Sequence, residues 1–110
     1  MIHIRYDEGG GRMEIKGHAG AGEYGQDIVC AAASILMLTL EEALERRREL
    51  FQPVIEKRPG EAVIYGRAGG WAGEGRRGIM ETVFTGYELL AEGYPDSVSA
   101  ERIRGDGRRT

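Results

Sequence analysis

Residues 17–30, GHAGAGEYGQDIVC, hold the only cysteine in the chain, one of its two histidines, four glycines and the acidic residues Glu23 and Asp27. Three chemistries could use such a set. Gly20, Gly22 and Gly25 spell G-x-G-x-x-G, the pattern with which a loop and the helix behind it cradle a pyrophosphate. That use requires a strand, the glycines and a helix in direct succession inside a parallel unit, and here Asp27 would occupy the phosphate's place at the helix start. A metal could draw on His18, Cys30, Glu23, Asp27 and the distant His3. No C-x-x-C or H-x-x-x-H spacing fixes two donors on one element, however, and a closed zinc site needs four good ones. The third use is a thiol nucleophile with a histidine base. The thiolate is the reactive form, and it is favoured at a helix N-terminus or beside a histidinium. With Asp27 as N-cap, Ile28, Val29 and Cys30 fill the first helical positions, where the macrodipole favours an anion. His18 lies twelve residues back on a glycine-rich stretch that lets it fold over that end.

These residues need elements to hold them. Ile2, Ile4 and Tyr6 alternate with His3 and Arg5; after the turn DEGGG, Met13 and Ile15 alternate with Arg12, Glu14 and Lys16. Two short alternating runs around a glycine turn predict an antiparallel hairpin. QPVIEK, the turn RPGE and AVIYG predict a second one. Between the hairpins a helix is expected over roughly 28–49, ending in the charged EEALERRREL. The glycine-rich RAGGWAGEGRRG, 67–78, reads as a mobile loop carrying Trp71. Residues 79–92 show a second helical pattern, in Ile79, Met80, Val83, Phe84, Tyr87, Leu90 and Ala91, stopped by Gly93 and Pro95. SVSAERI closes the list as a short strand, and 105–110 reads as a frayed tail. The expectation is one domain over 1–110 in the α+β class. It is a two-layer ββα-ββα-β fold, an antiparallel sheet of two hairpins plus a short last strand, with two helices packed on it.

On a helical wheel, Ile28, Ala32, Ile35, Leu36, Thr39 and Ala43 share one arc, with Cys30 and Ser34 on the far side. A thiol away from the aliphatic arc suits chemistry better than packing. Met37 and Leu44 fall near the cysteine too, so the helix is apolar enough to be covered on two sides, one of them by a partner subunit. On the residues alone, a catalytic and a buried thiol both stay open.

GHAGAGEYGQDIVCAAAS resembles the signature of the ribosomal-processing cysteine protease family, in which G-H-A precedes D-I-V-C-A-A-x-S across a glycine-containing loop. Gly17, His18 and Ala19 match the first block; Gly25, Asp27, Ile28, Val29, Cys30, Ala31, Ala32 and Ser34 match the second, at the same spacing. LLAEGYPDSV, 89–98, is similar to the family's second helix running into a tyrosine-proline stop. Ala21 stands where relatives often carry an aromatic residue. The resemblance implies a homodimeric bacterial endopeptidase that trims an N-terminal extension from a large-subunit ribosomal protein, cutting after an aromatic residue. It implies His18 as general base, Cys30 as nucleophile, Asp27 and Ser34 in support, and Gly17, Ala19, Gly20, Gly22, Tyr24 and Gly25 as the substrate loop. Acyl transfer through a thioester needs no cofactor and no metal. Relatives in phage genomes make a capsid or scaffold protein the alternative substrate. A non-catalytic dimeric binding or assembly module is the rival of another class.

Composition narrows the setting. A formal net charge of −3 gives no reason to expect nucleic-acid binding, and Arg46–Arg48, Arg76–Arg77 and Arg108–Arg109 read as solvated surface. His3, on the polar side of its strand, reads as solvated as well. One cysteine excludes an internal disulfide, and the least polar run, 28–40, is too short to cross a membrane. The expected location is the cytoplasm.

Overall fold

The computed structural model describes residues 1–17, 26–66 and 70–103, and for Gln26, Asp27 and Trp71 the backbone only. The alternating runs fold as read: β1 (Ile2–Asp7) pairs antiparallel with β2 (Arg12–Lys16), with Ile4 opposite Ile15 and Tyr6 opposite Met13. This register sends Ile2, Ile4, Tyr6, Met13 and Ile15 to one face, where all are buried. Each such aliphatic side chain contributes roughly 1.5–3 kcal/mol on burial, so a one-residue slip is heavily disfavoured. The second hairpin is β3 (Val54–Arg58) and β4 (Glu61–Tyr65).

The five strands run in the order β3-β4-β2-β1-β5, with β5 spanning Val98–Ile103. The ββα-ββα-β order and the α+β class hold, with one refinement: β5 lies parallel to β1, so the sheet is mixed. A single helix separates β4 from β5 and returns the chain to the end where β4 began. β5 must therefore run the way β4 does, which is the way β1 runs.

Helices cover the inner face. α1 (Gln26–Glu45) ends earlier than expected, and α2 (Arg48–Phe51) follows as a separate turn that buries Phe51. Arg46, Arg47 and Arg48 are exposed, as read. α3 spans Gly70–Gly93 and corrects the loop expected over 67–78. Two of its glycines serve close packing, Gly86 and Gly75, where a Cβ would stand 3.2 Å from the Phe51 ring, while Gly70 and Gly78 face open space. Arg76 also departs from the surface reading. It lies on the inner face of α3 at 2% exposure, against Gly11 and Gly66, while Arg77 is exposed. Trp71 belongs to α3 by its backbone; its side chain, and the tail 105–110, lie outside the described residues.

The buried stripe of α1 is Val29, Ala33, Leu40 and Leu44. It sits roughly a quarter-turn from the arc read off the wheel. Ile28, Ile35 and Leu38 instead face outward, at 57%, 59% and 47% exposure. Hydrophobicity alone misassigns this helix because both its faces are apolar. α1 and α3 are locked together where Leu36 packs into Gly86 and the buried Tyr87 hydroxyl donates to the Ala33 carbonyl at 2.9 Å.

Candidate active site

β1 begins, β2 ends and the β3–β4 turn closes at one end of the sheet, beneath the first turns of α1. There a cavity of about 200 Å³ opens between α1 and the sheet. Cys30, Ala33, Ser34 and Met37 line it from the helix; Ile2, Ile15 and Ala62 form the floor, and Gly17, Lys57, Arg58, Gly60 and Glu61 stand at its rim. Cys30, Ser34 and Met37 recur at the i, i+4, i+7 spacing of one helix face. Cys30 is half-buried on the shoulder of the core stripe, in no disulfide, with its side chain on the cavity.

Gly17 is fixed in its backbone. Its φ is +100°, a Cβ there would stand 2.2 Å from the Met1 carbonyl oxygen, and its N–H donates to the Gly60 carbonyl at 2.8 Å. No side chain fits that position. The residue bonded to this cavity-lining glycine is His18.

Of the residues read as the site, Gly17, Cys30 and Ser34 are brought together on one cavity. His18, Ala19, Gly20, Gly22, Tyr24 and Gly25 lie outside the described residues, as do Ala21 and Glu23. α1 starts at Gln26, so Asp27 falls inside its first turn instead of capping it, and Cys30 is the fifth helical residue instead of the third. A carboxylate in the first turn still complements the positive end of the helix. Among the described residues no group of three or more His, Cys, Asp or Glu side chains gathers as a metal would require, and no helix is long and apolar enough to cross a membrane.

Lys57 is the site residue that the sequence did not single out. It lines the cavity, and its Nζ lies 3.0 Å from Glu41 Oε2. Glu41 follows Met37 by four residues, continuing the face that carries Cys30. An exposed-looking lysine in a hairpin and a glutamate in an acidic run gave no sign of this pairing.

The sequence model of the cysteine protease Prp family matches residues 1–99. The chain belongs to that family. A Prp-family member is a cysteine protease, and Cys30 is the only cysteine this chain has. Solved structures agree with the assignment. SMU.848 from Streptococcus mutans shares 30% identity over 94% of this chain and 92% of its own, with a TM-score of 0.70. The essential ribosomal processing protease Prp from S. aureus, in complex with a covalently linked product peptide, shares 25% over 94% and 99%, with a TM-score of 0.73. The same S. aureus protease with a substrate peptide, at 24% identity over 94% and 96% and a TM-score of 0.70, adds likeness of fold. No curated protein sequence matches the chain.

Proposed function

We propose that this protease uses Cys30 as nucleophile and His18 as general base to trim an N-terminal extension from a large-subunit ribosomal protein. One observation carries the reading: Cys30 faces a cavity whose rim includes Gly17, the residue bonded to His18. The Cys30 proton passes to His18, and Sγ bonds to the peptide carbonyl carbon. The C–N bond then breaks, the leaving amine takes the proton, and water hydrolyses the thioester to free the acid and the thiol. Ser34, one turn on, packs beside the nucleophile, and Asp27 supports the helix end. The S. aureus relative is a ribosomal processing protease, which supports the same substrate class here, and the proposed setting of the reaction is the cytoplasm.

The active unit in this reading is a homodimer. Ile28, Ile35 and Leu38 form an exposed apolar stripe on α1, the same helix that carries Cys30. A second copy laid on that stripe would remove it from water.

The test incubates wild type, Cys30→Ser and His18→Ala with precursor ribosomal proteins and with phage capsid and scaffold proteins, reading new termini by mass spectrometry. Cleavage of a ribosomal precursor by wild type, lost in both variants, is the expected result. Cleavage of phage proteins alone would move the substrate to that class. Cleavage that survives His18→Ala would end the dyad, and none by wild type would favour a binding module.

A further inference from the structure

The rim of the cavity beside Cys30 carries three charged residues, Lys57, Arg58 and Glu61, around an interior of uncharged side chains such as Ile15, Met37 and Ala62. Two of the three are already engaged. Lys57 Nζ lies 3.0 Å from Glu41 Oε2, and Glu61 Oε1 lies 3.9 Å from Lys16 Nζ. Lys16 is shared with Glu14, which also has Arg12 at 3.7 Å, so that group of four is neutral. Arg58 and Glu61 face each other across the hairpin, flanking the turn Pro59–Gly60, so Glu61 is the carboxylate that the strand register offers to Arg58. Glu61 turns to Lys16 instead, and among the described residues no carboxylate pairs with Arg58. The turn itself is clamped to the site, because the Gly60 carbonyl accepts the Gly17 N–H at 2.8 Å. Among the described residues the rim therefore holds one uncompensated positive charge, on a fixed support.

We infer that Arg58 is a specificity-determining residue that selects substrates with an acidic side chain close to the bond that Cys30 cuts. The inference rests on the proposed cleavage at Cys30 and goes beyond it, because it assigns a choice among substrates to a residue outside the reacting pair. A peptide whose scissile carbonyl reaches Cys30 must cross this rim. Within roughly three residues of that bond, about 10 Å of extended chain, its side chains come within reach of Arg58. A guanidinium presents its N–H donors as a planar fork that fits the oxygens of a carboxylate, so an aspartate or glutamate there accepts a paired set of hydrogen bonds. A lysine or arginine at the same place meets like charge. Arg58 is exposed, so the preference is modest and fades with salt.

The measurement uses pairs of peptides spanning a bond that the wild type cuts, one with Glu and one with Gln at the same place. Each of the three positions on either side of the bond is taken in turn, and the ratio of kcat/KM for the pair is read. A ratio within one preparation does not depend on how much of the enzyme is folded. At one or more positions the wild type is expected to favour Glu about threefold, the scale of an exposed ion pair, and to lose that preference in about 1 M salt. Arg58→Gln should bring the ratio to unity there, and Arg58→Glu should invert it. Ratios that stay the same in wild type and both variants at every position would overturn the role of Arg58 and leave the cleavage standing. So would variants that slow the Glu and Gln peptides equally, since a cation acting only on the thiol does not tell them apart. A wild type that cleaves no peptide and no precursor would remove the cleavage reading and this selection with it.

Discussion

The two ends of the sheet have been built in opposite ways. Where β1 begins, the space between α1 and the strands is left open, with a thiol on its wall and charged residues only at its rim. Where β1 ends, α3 and β5 fill the space with charge. Arg102 donates through Nη2 to Glu81 Oε1 and through Nη1 to Glu8 Oε2, each at 2.8 Å, and its guanidinium lies 5.3 Å from both the Tyr6 and Phe84 ring centres. Beside it Arg76 is buried, and among the described residues neither its Nε nor its Nη1 has a hydrogen-bond partner. Burial holds the Arg76 guanidinium below its ordinary pKa, while Glu81 and Glu8 hold that of Arg102 above it. One end therefore carries the thiol and an open cavity, and the other the buried guanidinium of Arg76 and the Arg102 network. Changes at the two ends should separate activity from stability.

The largest effect on stability is expected from Arg102→Ala. It strands Glu81 and Glu8 and uncovers two aromatic rings, at a cost of about 3 kcal/mol. Denaturant midpoints measure the loss, and kcat/KM per folded molecule should stay near wild type; a collapse of activity would break the separation. Gly17→Ala probes the other end, forcing a side chain into a left-handed backbone against the Met1 carbonyl. A cost of about 2 kcal/mol follows from the strain, together with a drop in kcat/KM well beyond the loss of folded protein. Arg76→Met replaces a buried cation, two of whose nitrogens lack a hydrogen-bond partner among the described residues, by an apolar chain of similar length, and should be neutral or stabilising by about 1 kcal/mol in thermal unfolding. A clear loss would show that Arg76 has a hidden partner.

The smallest effect concerns pH. The hydrogen bonds from Arg102 are the main reason that the Glu81 carboxyl sits below the ordinary carboxylate range. A depressed folded-state value contributes stability that is present above the unfolded-state pKa and lost as pH falls through the folded one. The stability difference between wild type and Glu81→Gln should accordingly be steady near neutrality and shrink below the ordinary carboxylate range. A difference that grows in acid would contradict the assignment.

Much of this was legible before any coordinates. The alternation of Ile2, Ile4 and Tyr6 against Met13 and Ile15 fixed the first hairpin, because a half-buried strand has only one apolar side. The family resemblance named Gly17, Cys30 and Ser34, three residues that do meet on one cavity. What failed did so for physical reasons. The stretch 67–78 read as a loop since glycine is a poor helix former, yet from Gly70 on it is helix, and Gly75 lets α3 approach Phe51. Apolarity on both sides of α1 hid which stripe faced the core. The Lys57–Glu41 pair joins residues that the chain keeps sixteen positions apart, and no local pattern records it.

The seat of Leu36 on Gly86 is a place where one helix leaves room for another. An added methyl on Gly86 would come within 2.6 Å of Leu36 Cδ2, so the leucine would have to turn out of its seat. The close approach of α1, which carries Cys30, to α3 thus rests on a residue with no side chain at all.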